Sequence, residues 1–375
     1  MWLGAQKNDF YVLQSRSDAT RERAKVIACA DSLQTITAEY NSLLGGKWKG
    51  MMSLSNGGGR FALPPMDTVH LLSKPSIGVY AEGAATTDGY NILPVFNKFL
   101  PRSYYIDVFN KGQGQLQWTA SVSGKWILLD KTASNKSGRI NVSIDWSNVP
   151  IGENIKGEIL VSQTARDTKR ILISVFNPAD PNRETLKGMF VEDNGYISID
   201  PARFTRKNET KEINFEVMEG LGISDKVVRL GNPFSKNTYY PSLELTSNYV
   251  APVRSDKYPM LLYDFYSFQG GPVDVYTYMV PVFPLNDESG VRYGIMIDDS
   301  PVYLPEAGAP YYSTLWIQSI LRNTRINKTT HVLKNPGKHT LKIFTAHPGM
   351  LLQKIVIDFG GLKRSYTGPD FTLSK

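Results

Sequence analysis

Cysteine is all but missing. The one residue, Cys29, allows no disulfide within the chain and no cysteine-based zinc cluster. Basic residues are plentiful, but blocks of them are absent. The formal charge is +7 and the pI about 9.1, yet the lysines and arginines are scattered with no run of five or six. We read them as a solvated surface and expect no nucleic-acid partner. No apolar stretch approaches the ~20 residues of a membrane span, so none is expected. The start, MWLGAQKNDF, lacks the basic-then-apolar order of a signal peptide. Histidine is thin as well. His70, His331, His339 and His347 form neither H-x-x-x-H nor H-E-x-x-H, so no metal site is expected. There is no phosphate-binding loop, and Gly57-Gly58-Gly59 has no strand and helix around it to make a dinucleotide fingerprint. No cofactor is expected.

What the chain does have is punctuation and aromatic rings. With 20 Tyr, 31 Gly and 22 Pro, the composition suits strands between turns better than a helical bundle. A helix is expected over Asp18 to Leu44. Val26, Cys29, Leu33, Ile36, Tyr40 and Leu43 recur at steps of three and four, Ser17 or Asp18 offers a cap, and Gly45-Gly46 a stop. Its stripe needs partners, and Cys29 reads as a small buried hydrophobe. Gly45 to Met66 is a turn-rich loop.

From Ile77 to Asn177, short apolar runs alternate with turn residues at immunoglobulin-like spacing. Trp118, Trp126 and Trp146 are either a sugar platform or core, and their apolar area favours core. Asn177-Pro178-Ala179-Asp180-Pro181-Asn182 leaves no room for a strand and marks a boundary. Further strands follow, with Tyr311 to Arg322 readable as helix or strand. Thr340 to Phe344 and Leu351 to Phe359 alternate on either side of a Pro348-Gly349 turn. They predict a closing β-hairpin with Leu341, Ile343, Leu352, Ile355 and Ile357 in the core. The fold class is mainly β: a helical N-terminal portion and linker over 1–75, an immunoglobulin-like sandwich over 76–178, and a jelly-roll-like sandwich over 179–375, of the kind seen in carbohydrate-binding modules.

The last forty residues carry a resemblance. Gly337, His339 to Lys342, Pro348-Gly349, Leu352 to Asp358, Gly360 to Leu362, Ser365-Tyr366 and Gly368-Pro369 resemble the C-terminal signature of glycoside hydrolase family 115, the bacterial xylan α-1,2-glucuronidases. His347 stands where the family usually has Asp. The likeness runs from about Asp18 onward, through GGKW after the helix, YIDVFNKG in the first sandwich and FVEDNGYISID at the start of the second. It implies a C-terminal accessory portion of an α-glucuronidase, with the catalytic barrel upstream, so no catalytic residues carry over. It also implies xylan-type polysaccharide as partner, a homodimer, and a periplasmic or extracellular location with any export signal upstream. A free-standing glycan-binding or adhesion protein, and a divergent hydrolase, are the alternatives.

A glycosidase needs two carboxyl groups ~5 to ~9.5 Å apart across a sugar. Glu82, Glu192, Asp298, Asp299 and Asp358 are scattered, and each reads as a turn or surface charge. Asp298-Asp299 could hold calcium, with a charged turn as the plainer reading. The dense aromatic run YDFYSFQGGPVDVYTY places alternate rings on opposite faces. Tyr263, Tyr266, Tyr276 and Tyr278 from this run, with Trp316, are the candidate glycan-binding residues.

Overall fold

The computed structural model describes residues 1–51, 63–84, 91–235, 249–250 (backbone only), 259–283 and 291–375; the loop with Gly57 to Gly59 lies outside them. The chain divides into two units, Met1–Phe96 with Pro101–Asn177, and Asn97–Leu100 with Pro178–Lys375. Each is mainly strand, with two sheets around an apolar core. Among the described residues no helix is long and apolar enough to cross a membrane.

The first unit opens with two helices, α1 (Trp2–Leu13) and α2 (Asp18–Gly46). They cross closely because Gly4 has no side chain: a Cβ there would sit 2.7 Å from Val26 Cγ2. Asn8 Nδ2 donates to the Ala19 carbonyl at 3.0 Å across the same crossing. Arg16, 6% exposed, ties the pair to the sheet. Its guanidinium lies over Tyr11 and Phe109, at 4.0 and 4.5 Å, and reaches Asp107 at 3.4 Å. Helix α2 buries Ala19, Glu22, Val26 and Ala30, and nothing beyond. This corrects the expected stripe, because Cys29 is exposed, as are Ile36 and Leu43. Packing leaves Val26 by a step of four, to Ala30, whereas the stripe leaves by a step of three; the two directions differ by ~100° around the helix. Regular helix gives out at Leu43–Gly45, where Leu44 and Gly45 take positive φ.

One sheet of this unit runs in the order Ile77–Ala81, Tyr104–Asn110, Gly138–Ile144, Ile127–Leu129. The other centres on the long antiparallel pair Gly152–Thr164 and Asp167–Asn177, flanked by Trp118–Val122. Trp118 is buried, and its indole donates to the Lys136 carbonyl at 2.9 Å. Trp126 and Trp146 are partly buried against the same core. All three tryptophans pack against this core.

In the second unit one sheet runs Phe190–Val191, Met260–Ser267, Gly337–Thr345, Tyr293–Ile297, Val302–Tyr303, Tyr249–Val250. The facing sheet runs Phe215–Glu219, Lys226–Leu230, Met350–Asp358, Gly271–Met279, Arg325–Leu333. Gly337–Thr345 and Met350–Asp358 therefore lie in opposite sheets. The expected hairpin is instead an arch: Thr345 leaves one sheet and Met350 enters the other. Their local pattern fits either arrangement, since both strands send every second residue inward. All five expected core residues are fully buried between the sheets, where each contributes roughly 1.5–3 kcal/mol.

Met350–Asp358 also changes phase midway. Tyr278 pairs with Lys354 and Met279 with Leu352, so Gln353 is the extra residue of a β-bulge. Leu352 and Ile355 both point inward because of it. Gln353 is buried; its side-chain Oε1 accepts from Ile223 N at 2.9 Å, and its Nε2 donates to the Asn323 carbonyl at 3.3 Å. Asn323 closes a helix. After the short α3 (Arg183–Leu186), the stretch left open between helix and strand holds α4 (Thr314–Leu321), capped by Ser313 Oγ accepting from Trp316 N at 3.1 Å.

Candidate functional site

Along Gly271–Met279, Val273, Val275 and Met279 face the core, so Asp274, Tyr276 and Tyr278 face outward. Tyr276 and Tyr278 line a pocket of about 650 Å³, whose other walls are Arg322 after α4, Asp358, and the segment Leu362 to Tyr366. The pocket therefore lies on the outer face of one sheet, walled by the signature segment.

That segment has no strand to hold it, so its order comes from point contacts. Asp358 Oδ1 accepts from Gly360 N at 2.8 Å and Leu362 N at 3.0 Å. Gly361 has to be glycine, because a Cβ would lie 2.0 Å from the Asn194 carbonyl oxygen. Lys354 is 5% exposed and spends its ammonium on the Thr367 and Pro369 carbonyls, at 3.0 and 2.7 Å. Burial pushes the Lys354 ammonium down from its ordinary value. Tyr366 stays exposed, its hydroxyl donating to the Leu321 carbonyl of α4 at 3.4 Å.

Three cations and one carboxylate border the pocket: Arg322, Lys363, Arg364 and Asp358. Among the described residues, Arg322 and Arg364 have no ion-pair or side-chain hydrogen-bond partner. Lys328 stands 5.9 Å over the Tyr276 ring and pairs with Asp274 at 2.7 Å. The chemistry is that of aromatic rings beside unspent guanidinium groups, suited to an anionic ligand with an apolar face.

The five sequence candidates do not form one site. Tyr276 and Tyr278 meet in the pocket, although Tyr278 is only 5% exposed. Tyr263 is a correction: it is fully buried between the sheets, its hydroxyl donating to the Pro201 carbonyl at 3.0 Å. It shares the inward phase of Leu261 and Phe265. Tyr266 lies on the outer face of the other sheet, 5.2 Å from Phe268, which stacks on Phe99 at 5.4 Å. Trp316 joins a separate cluster with Tyr311, Tyr312 and Phe283, at 5.1, 5.4 and 6.1 Å. Sequence reasoning missed Arg322, Arg364 and Tyr366. The available signal was exposed rings and cations in a signature stretch that has no strand periodicity.

The scattered carboxylates hold turns. Glu82 Oε2 accepts from Tyr105 N at 3.0 Å, and Glu192 Oε2 from Phe268 N at 2.8 Å. Burial pushes the Glu192 carboxyl up from its ordinary value. Asp298 contacts His339 Nδ1 at 2.7 Å and accepts from Thr340 N at 2.9 Å, while Asp299 is exposed beside Lys342. The second nitrogen of His339 faces the Asn335 carbonyl at 2.9 Å, so this signature histidine is spent on structure. Among the described residues no group of three or more His, Cys, Asp or Glu is placed to hold a metal.

Among solved structures, a family GH115 4-O-methyl-α-glucuronidase with specificity for decorated arabinogalactans is similar at 20% identity and a TM-score of 0.31, over 43% of this chain and 17% of that one. The C-terminal CBM6 of a marine laminarinase from Zobellia galactanivorans is similar at 12% identity and a TM-score of 0.25, over 44% and 98%. A family 35 carbohydrate binding module from Clostridium thermocellum is similar at 12% identity and a TM-score of 0.27, over 43% and 97%. At these scores none of them fixes fold or role, and the similarity to the glucuronidase spans under a fifth of its length. No curated protein sequence matches the chain. Residues 189–370, within the second unit, match the glycosyl hydrolase family 115 C-terminal domain.

Proposed function

We propose that this chain is the accessory portion of a family 115-like α-glucuronidase, and that the tyrosine-lined pocket holds glucuronoxylan-type glycan. In this reading the units are an immunoglobulin-like and a jelly-roll-like sandwich, the protein works in the periplasm or outside the cell, and α2 contributes to a homodimer. The observation that carries it is the pair Arg322 and Arg364, without an ion-pair partner among the described residues, beside Tyr276 and Tyr366. A uronate side group brings one carboxylate for a guanidinium to hold, and a sugar ring brings an apolar face for a tyrosine.

The test is calorimetric titration with xylotetraose bearing one 4-O-methylglucuronate, against unsubstituted xylotetraose. The acidic ligand should bind at least tenfold tighter, about 1.4 kcal/mol. Replacing both Arg322 and Arg364 by alanine should erase that margin and leave the melting temperature unchanged. Equal binding of the two ligands would refute the assignment. The chain by itself should release no 4-O-methylglucuronic acid from glucuronoxylan. Turnover abolished by a single carboxylate substitution would make it a hydrolase instead.

A further inference from the structure

The edge strand Arg325–Leu333 has an unusual inner face. Its register against Gly271–Met279 sets His331 opposite Val273, Thr329 opposite Val275, Asn327 opposite Thr277 and Arg325 opposite Met279. Those partners face the core, so the polar residues do too. The neighbouring strand faces the same core mainly with apolar residues, Val273, Val275 and Met279, with Thr277 as its polar exception. Part of the polarity is internally satisfied: Asn327 Nδ2 donates to Tyr293 OH at 3.1 Å, and Thr329 Oγ1 contacts His331 Nε2 at 2.9 Å. His331 is only 3% exposed, yet among the described residues its Nδ1 has no hydrogen-bond partner.

His331 lines a cleft of about 530 Å³ that opens where this edge strand meets the turn between Tyr293–Ile297 and Val302–Tyr303 of the facing sheet. Tyr303 stands edge-on to its imidazole, with ring centroids 4.8 Å apart. Asp298, Asp299 and Lys334 form the rim. The rim carries little net charge to recruit an ion: Asp298 is held by His339 and Asp299 lies beside Lys342. Burial pushes His331 down to about 4, so its ring is a neutral hydrogen-bonding group at ordinary pH. A volume of this size suits one or two sugar rings.

We propose that this inter-sheet cleft, with His331 at its wall, Tyr303 as its aromatic surface and Lys334 at its rim, is a second binding site, taking an uncharged sugar or similar polyol. It is independent of the tyrosine-lined pocket, and either site can fail without the other. The probe is unsubstituted xylohexaose, followed through imidazole proton–nitrogen correlations of the full chain. The His331 signal should shift and saturate. Lys334→Ala should weaken that response severalfold, His331→Phe should weaken binding at the cleft at least tenfold, and the Arg322→Ala, Arg364→Ala pair should leave it intact. If His331→Phe fails to fold, the wild-type titration and Lys334→Ala decide. A His331 signal unmoved by xylohexaose would overturn the proposal, leaving the polar inner face as protection for an open sheet edge. So would a shift that Lys334→Ala leaves untouched and the arginine pair abolishes.

Discussion

Buried histidine costs the folded protein stability as pH falls. The His331 ring is held at about 4 in the folded chain, against an ordinary ~6.5 when unfolded. Between those values the unfolded chain takes up a proton that the folded one refuses. Stability is therefore full above about 6.5, falls as pH drops through the window, and levels off below about 4, for a loss on the order of 3 kcal/mol. His347 is held down by the same cause and adds to the loss. Glu192, pushed up by burial, works the other way. The melting temperature of the second unit should fall between pH 7 and pH 4.5, and His331→Phe should fall less. Parallel pH dependence in the two proteins would contradict this account. Single residues were legible in sequence where period alone decides. Leu341 and Ile357 are examples, and both are core. Tyr263 was not, because a tyrosine fits either phase of a strand and only its hydroxyl's partner, the Pro201 carbonyl, shows which one was taken.

At the level of elements, α2 is two helices in energetic terms. Up to Ala30 it is packed; from Asp31 to Ser42 nothing is buried. A helix of about a dozen residues without tertiary contacts is marginal in water. Amides of Asp31 to Ser42 should exchange with solvent much faster than those of Ala19 to Ala30 in a monomer, and slow down if that half is covered by self-association. Equal protection in both halves of a proven monomer would argue against it. The C-terminal end of α2 was readable because a glycine stop is local, while Ser17 at its start makes no side-chain cap hydrogen bond; its buried face was not readable, because the partner α1 shows no helical period. Trp2–Leu13 buries just Ala5 and Asn8, which no apolar pattern announces. The closing arch was misread for a related reason. Thr340 to Phe359 has a hairpin's local signs, and which strand each run pairs with depends on residues far away in sequence. The pocket needed that long-range information too. Gly360, Gly361 and Lys354 are readable as a signature, but their work, holding Arg364 and Tyr366 beside Tyr276, appears when Asn194, Thr367 and Pro369 are in place.

At the scale of the whole chain, the second unit takes in a short piece that comes well before its main part, Pro178–Lys375. Asn97–Leu100 belongs to it, far ahead of Pro178. Asn97 Nδ2 donates to the Glu192 carbonyl at 3.0 Å, and Phe99 is fully buried against Phe268. A fragment 178–375 lacks that plug. Losing a buried phenylalanine costs about 3–5 kcal/mol, so the fragment should melt well below the second unit of the full chain, and adding a peptide spanning 95–102 should recover part of the difference. A fragment as stable as the parent would refute this. The same four residues also set an order of events during synthesis. They leave the ribosome long before the strands that will receive them, and Phe99 must wait, uncovered, while everything up to Asn177 emerges. A chain stalled anywhere in that interval presents an unsheltered aromatic side chain, and it is there that a chaperone would have most to grip.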